Sequence, residues 1–152
     1  MSQVSNTILV AEDNDDDIFA LRRALKKAGV ANPVQVVTDG QKAVDYLAGN
    51  GEFADRERHP LPFILFLDLK LPYVDGFDVL SWMRQQPSLN PVVVVILTGS
   101  DETKDHQRAY ALGARSYLVK PPTASDIIQF MDSMQSYWTR DRQIGPIESR
   151  IG

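Results

Sequence analysis

The chain has 152 residues, 43% hydrophobic and 24% charged, with a formal net charge of -4. That is the balance of one globular domain with a full core, too short for two comfortable ones. The acidic balance gives no pull toward nucleic acid or an anionic membrane surface, and the absence of cysteine removes disulfides, thiolate catalysis and Cys-type zinc sites.

The first apolar run, at residues 8–11, is too short for a signal-peptide core. No stretch approaches the roughly 18 apolar residues of a membrane span, so a soluble, cytoplasmic protein is expected. Residues 7–11 (TILVA) predict a first strand. Ile18, Leu21, Leu25 and Ala28 then recur at helical spacing, and Gly29 supplies the stop. Residues 34–37 predict a short second strand. Asp39 opens a helix with Ala43, Val44, Leu47 and Ala48 on one face, ending near Gly49. The polar stretch 49–62 predicts a surface loop, longer than usual for an α/β connection.

Residues 63–67 (FILFL) are apolar on both faces, as a central parallel strand should be. A helix over 76–86 follows, with Trp82 expected to pack. Residues 92–97 (VVVVIL) give a fourth, β-branched strand. A weaker helix over 101–112 has Ala109 and Leu112 facing the core and stops at Gly113. Residues 116–119 predict a fifth strand. Thr123 and Asp126 form a capping box for a last helix burying Ile127, Met131, Met134 and Trp138. The domain is expected to span 1–140, leaving 141–152 as an irregular tail that holds no output domain.

Five β-α repeats in strict alternation argue for an open parallel sheet with helices on both faces, whose ligands bind at the carboxyl ends of the strands. The polar residues fall there. Glu12 and Asp13 follow the first strand, Asp68 the third, Thr98 and Gly99 the fourth, and Lys120 the fifth. Strand spacing of about 5 Å would crowd the three carboxylates together. Such crowding calls for a cation, and Mg²⁺ suits an all-oxygen set. One carboxylate can then attack phosphorus to give an acyl phosphate, with Lys120 supplying charge and Thr98 and the Gly99 amide supplying hydrogen bonds. Taken singly, each residue has a plainer reading: Asp13 as a helix cap, Lys120 as a solvated cation, Thr98 as ordinary strand composition.

Taken in order, the runs A-E-D-N (11–14), L-D-L-K-L-P-x-x-D-G (67–76), L-T-G-S (97–100) and G-A-x-S-Y-L-V-K-P (113–121) resemble the receiver domain of two-component response regulators. The resemblance covers residues 6–138. It implies a flavodoxin-like (CheY-like) doubly wound sheet in the order 2-1-3-4-5. It also implies that Asp68 is the phosphoacceptor. Asp13, Asp68 and the main-chain carbonyl of Lys70 would bind Mg²⁺, with Glu12 assisting through water. Thr98 and Lys120 would bind the phosphoryl group, and Tyr117 would be the aromatic that swings inward on activation. Pro72 and Gly76 match the loop after the phosphoacceptor, and the Lys120-Pro121 bond would be cis.

Two features stand apart from that pattern or bear on its tuning. Pro122 stands where the family commonly has an apolar residue, and Lys70 and Ser100 occupy positions that influence acyl-phosphate lifetime. The loop at 51–59 and the ending near Tyr137 and Trp138 are similar to stand-alone cyanobacterial phytochrome response regulators.

The implied partners are a histidine kinase or phosphotransfer protein and a downstream protein target. A homodimer through the last two helices and fifth strand is also implied; Tyr110 and Trp138 on those helices are either interface aromatics, if exposed, or purely packed. His59 and His106, the two histidines, are expected on the solvated surface, so the phosphodonor histidine belongs to another protein. Three other readings compete. One is a receiver-like scaffold working without phosphorylation, although no acid and no lysine is missing. A flavodoxin-like cofactor binder would need a phosphate cradle where five of residues 12–17 are acidic. An aspartyl-phosphate phosphatase would need an acid where Lys70 stands.

Overall fold

A computed structural model of the chain describes residues 4–99 and 103–137. The strands are β1 (Ile8–Ala11), β2 (Val34–Val37), β3 (Ile64–Asp68), β4 (Val93–Thr98) and β5 (Ser116–Val119). The helices are α1 (Asp15–Lys27), α2 (Gly40–Ala48), α3 (Gly76–Arg84), α4 (Thr103–Ala111) and α5 (Ala124–Ser136). All pairings are parallel and the order is β2-β1-β3-β4-β5, as expected.

Period-2 alternation in the three central strands divides the core into two layers. Leu9, Ala11, Leu65, Leu67, Val94 and Ile96 face α2, α3 and α4, where Ala43, Tyr46, Val79, Leu80 and Ala109 meet them. Ile8, Val10, Ile64, Phe66, Val95 and Leu97 face α1 and α5, against Leu21, Leu25, Ile127 and Met131. Every residue of β1, β3 and β4 is buried, which is why those runs carry no polar face.

Side-chain caps start four helices. Asn14, Asp39 and Asp75 each accept from the backbone N–H of the third residue of their helix. Thr123 and Asp126 form the expected reciprocal box. α3 ends two residues earlier than the apolar pattern suggested, with Gln85 as its cap. Within the described residues α4 starts at Thr103, and Ser100, Trp138 and the 141–152 tail lie outside them. No described helix is long and apolar enough to cross a membrane.

The stretch after α2 is more than a polar surface loop. Arg56 donates to the carbonyls of Tyr46 (2.7 Å), Leu47 (2.9 Å) and His59 (3.1 Å), so it ties the last turn of α2 to the segment that follows and gives the Leu47 carbonyl a partner. The Tyr46 hydroxyl donates to the Pro60 carbonyl at 2.9 Å. His59 is half-buried, its ring edge-on to Phe53 at 5.1 Å and to Tyr46 at 5.7 Å. The expectation of a solvated His59 is therefore wrong: the buried Phe53 and Leu61 draw the segment onto the sheet and carry the imidazole with them.

Candidate functional site

The sheet register decides what meets at the carboxyl edge. Ala11 pairs with Leu67, Asp68 with Leu97, and Thr98 with Val119, so Glu12, Asp68, Thr98 and Lys120 all arrive within one residue of the same line. Carboxylate oxygens of Glu12, Asp13 and Asp68 lie within 4.8 Å of one another. Glu12 and Asp68 are buried, at 2% and 6% exposure, while Asp13 opens to solvent.

Glu12 turns its Oε2 back to accept from the amides of Asp13 (3.0 Å) and Asn14 (3.1 Å). Its Oε1 contacts the Lys120 ammonium. That ammonium also reaches Asp17 at 2.9 Å and Asp68 at 3.2 Å. The Lys70 amide donates to Asp68 Oδ1 at 3.2 Å. The Lys120 amide donates to the Thr98 carbonyl at 2.7 Å, which fixes the root of the lysine beside Thr98. The Lys120-Pro121 bond is cis, and Pro122 is buried, taking the apolar position that the sequence left open.

Burial pushes the Glu12 carboxyl up to about 7, aided by the nearby Asp68 charge and opposed by hydrogen bonds from Lys120 and Asn14. Burial works against the Lys120 ammonium too. Its hydrogen bonds to Glu12 and Asp17 outweigh that, and its pKa lies above the usual lysine range. The pocket thus holds more carboxylates than its one lysine can neutralise.

The loop after β3 is pinned from two sides. A Cβ on Gly76 would lie 2.4 Å from the Asp68 carbonyl oxygen, and one on Gly40 would lie 1.6 Å from the Val74 carbonyl oxygen. The sequence singled out Gly76; Gly40 carries no local signal and emerges only from the packing of α2 against this loop. Between them Tyr73 adopts φ 68 and stands 88% exposed. For a bulky residue that left-handed backbone costs about 1 kcal/mol or more.

Tyr117 is buried, its ring stacked on His106 with centroids 3.6 Å apart and planes 30° from parallel. The expectation of a solvated His106 is therefore also wrong: half-buried, it covers the ring on β5. Tyr110 is 48% exposed, whereas Trp82 packs against the core. Asp17 is the site residue that the sequence reading passed over. It is one of three consecutive acids opening α1, and only the rotation of that helix turns it toward Lys120.

The family model for the response regulator receiver domain matches residues 8–132. The chain belongs to the response regulator receiver domain family. This receiver is 33% identical over 141 residues to the response regulator Rcp1 of Synechocystis, covering 91% of this chain and 94% of that one. The Mn²⁺-bound structure of Rcp1 superposes with a TM-score of 0.71 at 30% identity, over 92% and 99% of the two chains. The phosphorylated cyanobacterial phytochrome response regulator RcpA gives 0.72 at 31% identity, over 90% and 96%. A response regulator in red light signaling of R. palustris gives 0.75 at 36% identity, over 88% and 94%.

These matches place this receiver among two-component signalling proteins and favour neither the unphosphorylated scaffold nor the cofactor binder. Receiver domains bind Mg²⁺ or Mn²⁺ in an acidic pocket, and the Glu12, Asp13 and Asp68 cluster is such a pocket. Its donors are all oxygens and its buried carboxyls are under mutual repulsion, so the residues fit a hard divalent cation.

Proposed function

We propose that Asp68 accepts a phosphoryl group from a phosphohistidine of a partner histidine kinase or phosphotransfer protein. The observation that carries this reading is the position of the Asp68 carboxylate. It lies at the buried carboxyl edge, inside the three-acid cluster and 3.2 Å from the Lys120 ammonium. In the transfer an Asp68 oxygen forms the bond to phosphorus while the donor's P–N bond breaks and the imidazole departs with the electron pair. Lys120 places positive charge against the phosphoryl oxygens, and the Thr98 hydroxyl donates to one of them. Asp13, Asp68 and the Lys70 carbonyl would hold Mg²⁺, with Glu12 through water. The ion supplies charge that offsets carboxylate and phosphoryl oxygens together.

Residues 1–140 form the receiver on this reading, 141–152 are a tail, and the receiver works in the cytoplasm. It assists only its own phosphorylation and dephosphorylation. Thr98 and Tyr117 couple the site to the face of α4, β5 and α5, where exposed Tyr110 and Val119 suit a homodimer or a downstream protein target. The red-light and phytochrome relatives support a phytochrome-type kinase as the donor.

Incubation with acetyl phosphate and Mg²⁺ is the direct test. A mass gain of one phosphoryl group should map to Asp68, vanish with chelator, and be missing from Asp68→Asn. A gain that persists in Asp68→Asn would overturn the assignment.

The metal site has its own pH signature. Ligand carboxyls bind the ion deprotonated, and the Glu12 carboxyl lies at about 7. Mg²⁺ affinity should therefore rise about tenfold from pH 6 to pH 8. Titration calorimetry across that range checks it, and Glu12→Gln should flatten the profile. An unchanged profile in that variant would remove Glu12 from the metal's surroundings.

A further inference from the structure

We propose that Asp17 is a positioning residue that acts through Lys120, competing with the phosphoryl group for the lysine's ammonium. This inference rests on the reading of Asp68 as phosphoacceptor. Lys120 Nζ donates to Asp17 Oδ2 at 2.9 Å, closer than its 3.2 Å approach to Asp68 Oδ2. The two partners differ in kind. Asp68 sits at a buried strand end, while Asp17 lies on the first turn of α1, its side chain 37% exposed and outside the three-carboxylate cluster.

α1 is anchored at this end. Asn14 caps it by accepting from the Asp17 amide at 3.0 Å, so the Asp17 backbone is fixed where its carboxylate meets Lys120. The Glu12 carboxylate is fixed too, because Oε2 is spent on two amides and only Oε1 faces the lysine. Lys120 is thus suspended between a fixed acid at the floor and an acid at the rim.

Two consequences of opposite sign follow. Before transfer, Asp17 neutralises the ammonium and so spares an incoming divalent cation from its repulsion. After transfer, the same carboxylate holds the ammonium back from the phosphoryl oxygens and lowers the share of positive charge they receive. Asp17 therefore sets a balance: it favours the metal and disfavours the anion. A residue that merely supported the fold would weaken both.

The test uses Mg²⁺ alone and then fluoroberyllate, a phosphoryl mimic, at saturating Mg²⁺, each titrated by calorimetry on the full chain. A partly exposed charge pair supports changes of about threefold to fivefold. Asp17→Asn should weaken Mg²⁺ and tighten fluoroberyllate by that amount, and Asp17→Glu should restore both toward wild type. In a Lys120→Gln background the Asp17→Asn effect on fluoroberyllate should shrink to within about twofold, since the coupling runs through the lysine.

Changes of the same sign in both titrations, or an undiminished effect in Lys120→Gln, would overturn the inference. The Asp68 reading fails separately. A phosphoryl mass gain that persists in Asp68→Asn sinks that reading and this one with it. Loss of the gain in Asp68→Asn together with wild-type titrations in Asp17→Asn sinks this one alone.

Discussion

Lys120→Met is expected to lower the stability of the metal-free protein by about 3 kcal/mol, because it strands buried carboxylates without their cation. Lys120 meets Glu12, Asp17 and Asp68 at once, and its own side chain is only 14% exposed. The pH dependence has a definite sign. The Glu12 carboxyl is raised from 4.5 to about 7 by burial, so its contribution is fully present below 4.5 and is lost as pH rises through 7. Without Lys120 that loss should deepen. Urea unfolding at pH 5 and pH 8 should therefore show a larger Lys120→Met deficit at pH 8. Adding Mg²⁺ should recover part of it, since a ligand that binds only the folded state stabilises by mass action. Equal stability of variant and wild type at pH 8 in chelator would show that the acids do not depend on this lysine.

Gly40→Ala should cost about 3 kcal/mol, at the upper end of what overpacking does. The added carbon would fall 1.6 Å from the Val74 carbonyl oxygen. That is backbone, which cannot rotate aside, and the Gly40 amide already donates to the Pro72 carbonyl at 3.1 Å. Relief therefore has to come from moving residues 72–74, which follow Asp68 and Lys70 directly. Weaker Mg²⁺ binding should accompany the lowered urea midpoint, with an unchanged slope. A midpoint shift worth less than about 0.5 kcal/mol would mean that the loop yields freely.

The strands were legible because three of them are apolar on both faces, a pattern that few other structures require. The site was legible for the same reason: Glu12, Asp68 and Thr98 are the first polar residues after buried apolar runs, Lys120 follows the part-buried fifth strand, and parallel pairing brings such strand ends to one edge. The strand order came from the family resemblance, since alternation alone does not say that β1 lies between β2 and β3.

Side-chain partners were less legible. Asp17 is indistinguishable from Asp15 and Asp16 until the rotation of α1 is known. His59 and His106 looked solvated because each has polar neighbours in sequence. Their actual neighbours, Phe53 with Tyr46 and Tyr117, lie on other elements. Gly40 opens a helix, where glycine is unremarkable, and the carbonyl it accommodates belongs to a loop more than thirty residues away.

The bond from Lys120 to Asp17 joins residues 103 positions apart, and the fifth strand is laid down at the sheet margin only after all four others. During synthesis the acids of β1 and β3 can pair their backbones long before their counter-ion leaves the ribosome. A nascent chain stopped after β4 would hold an electrostatically unfinished edge, closed only by free cations from the surrounding solution.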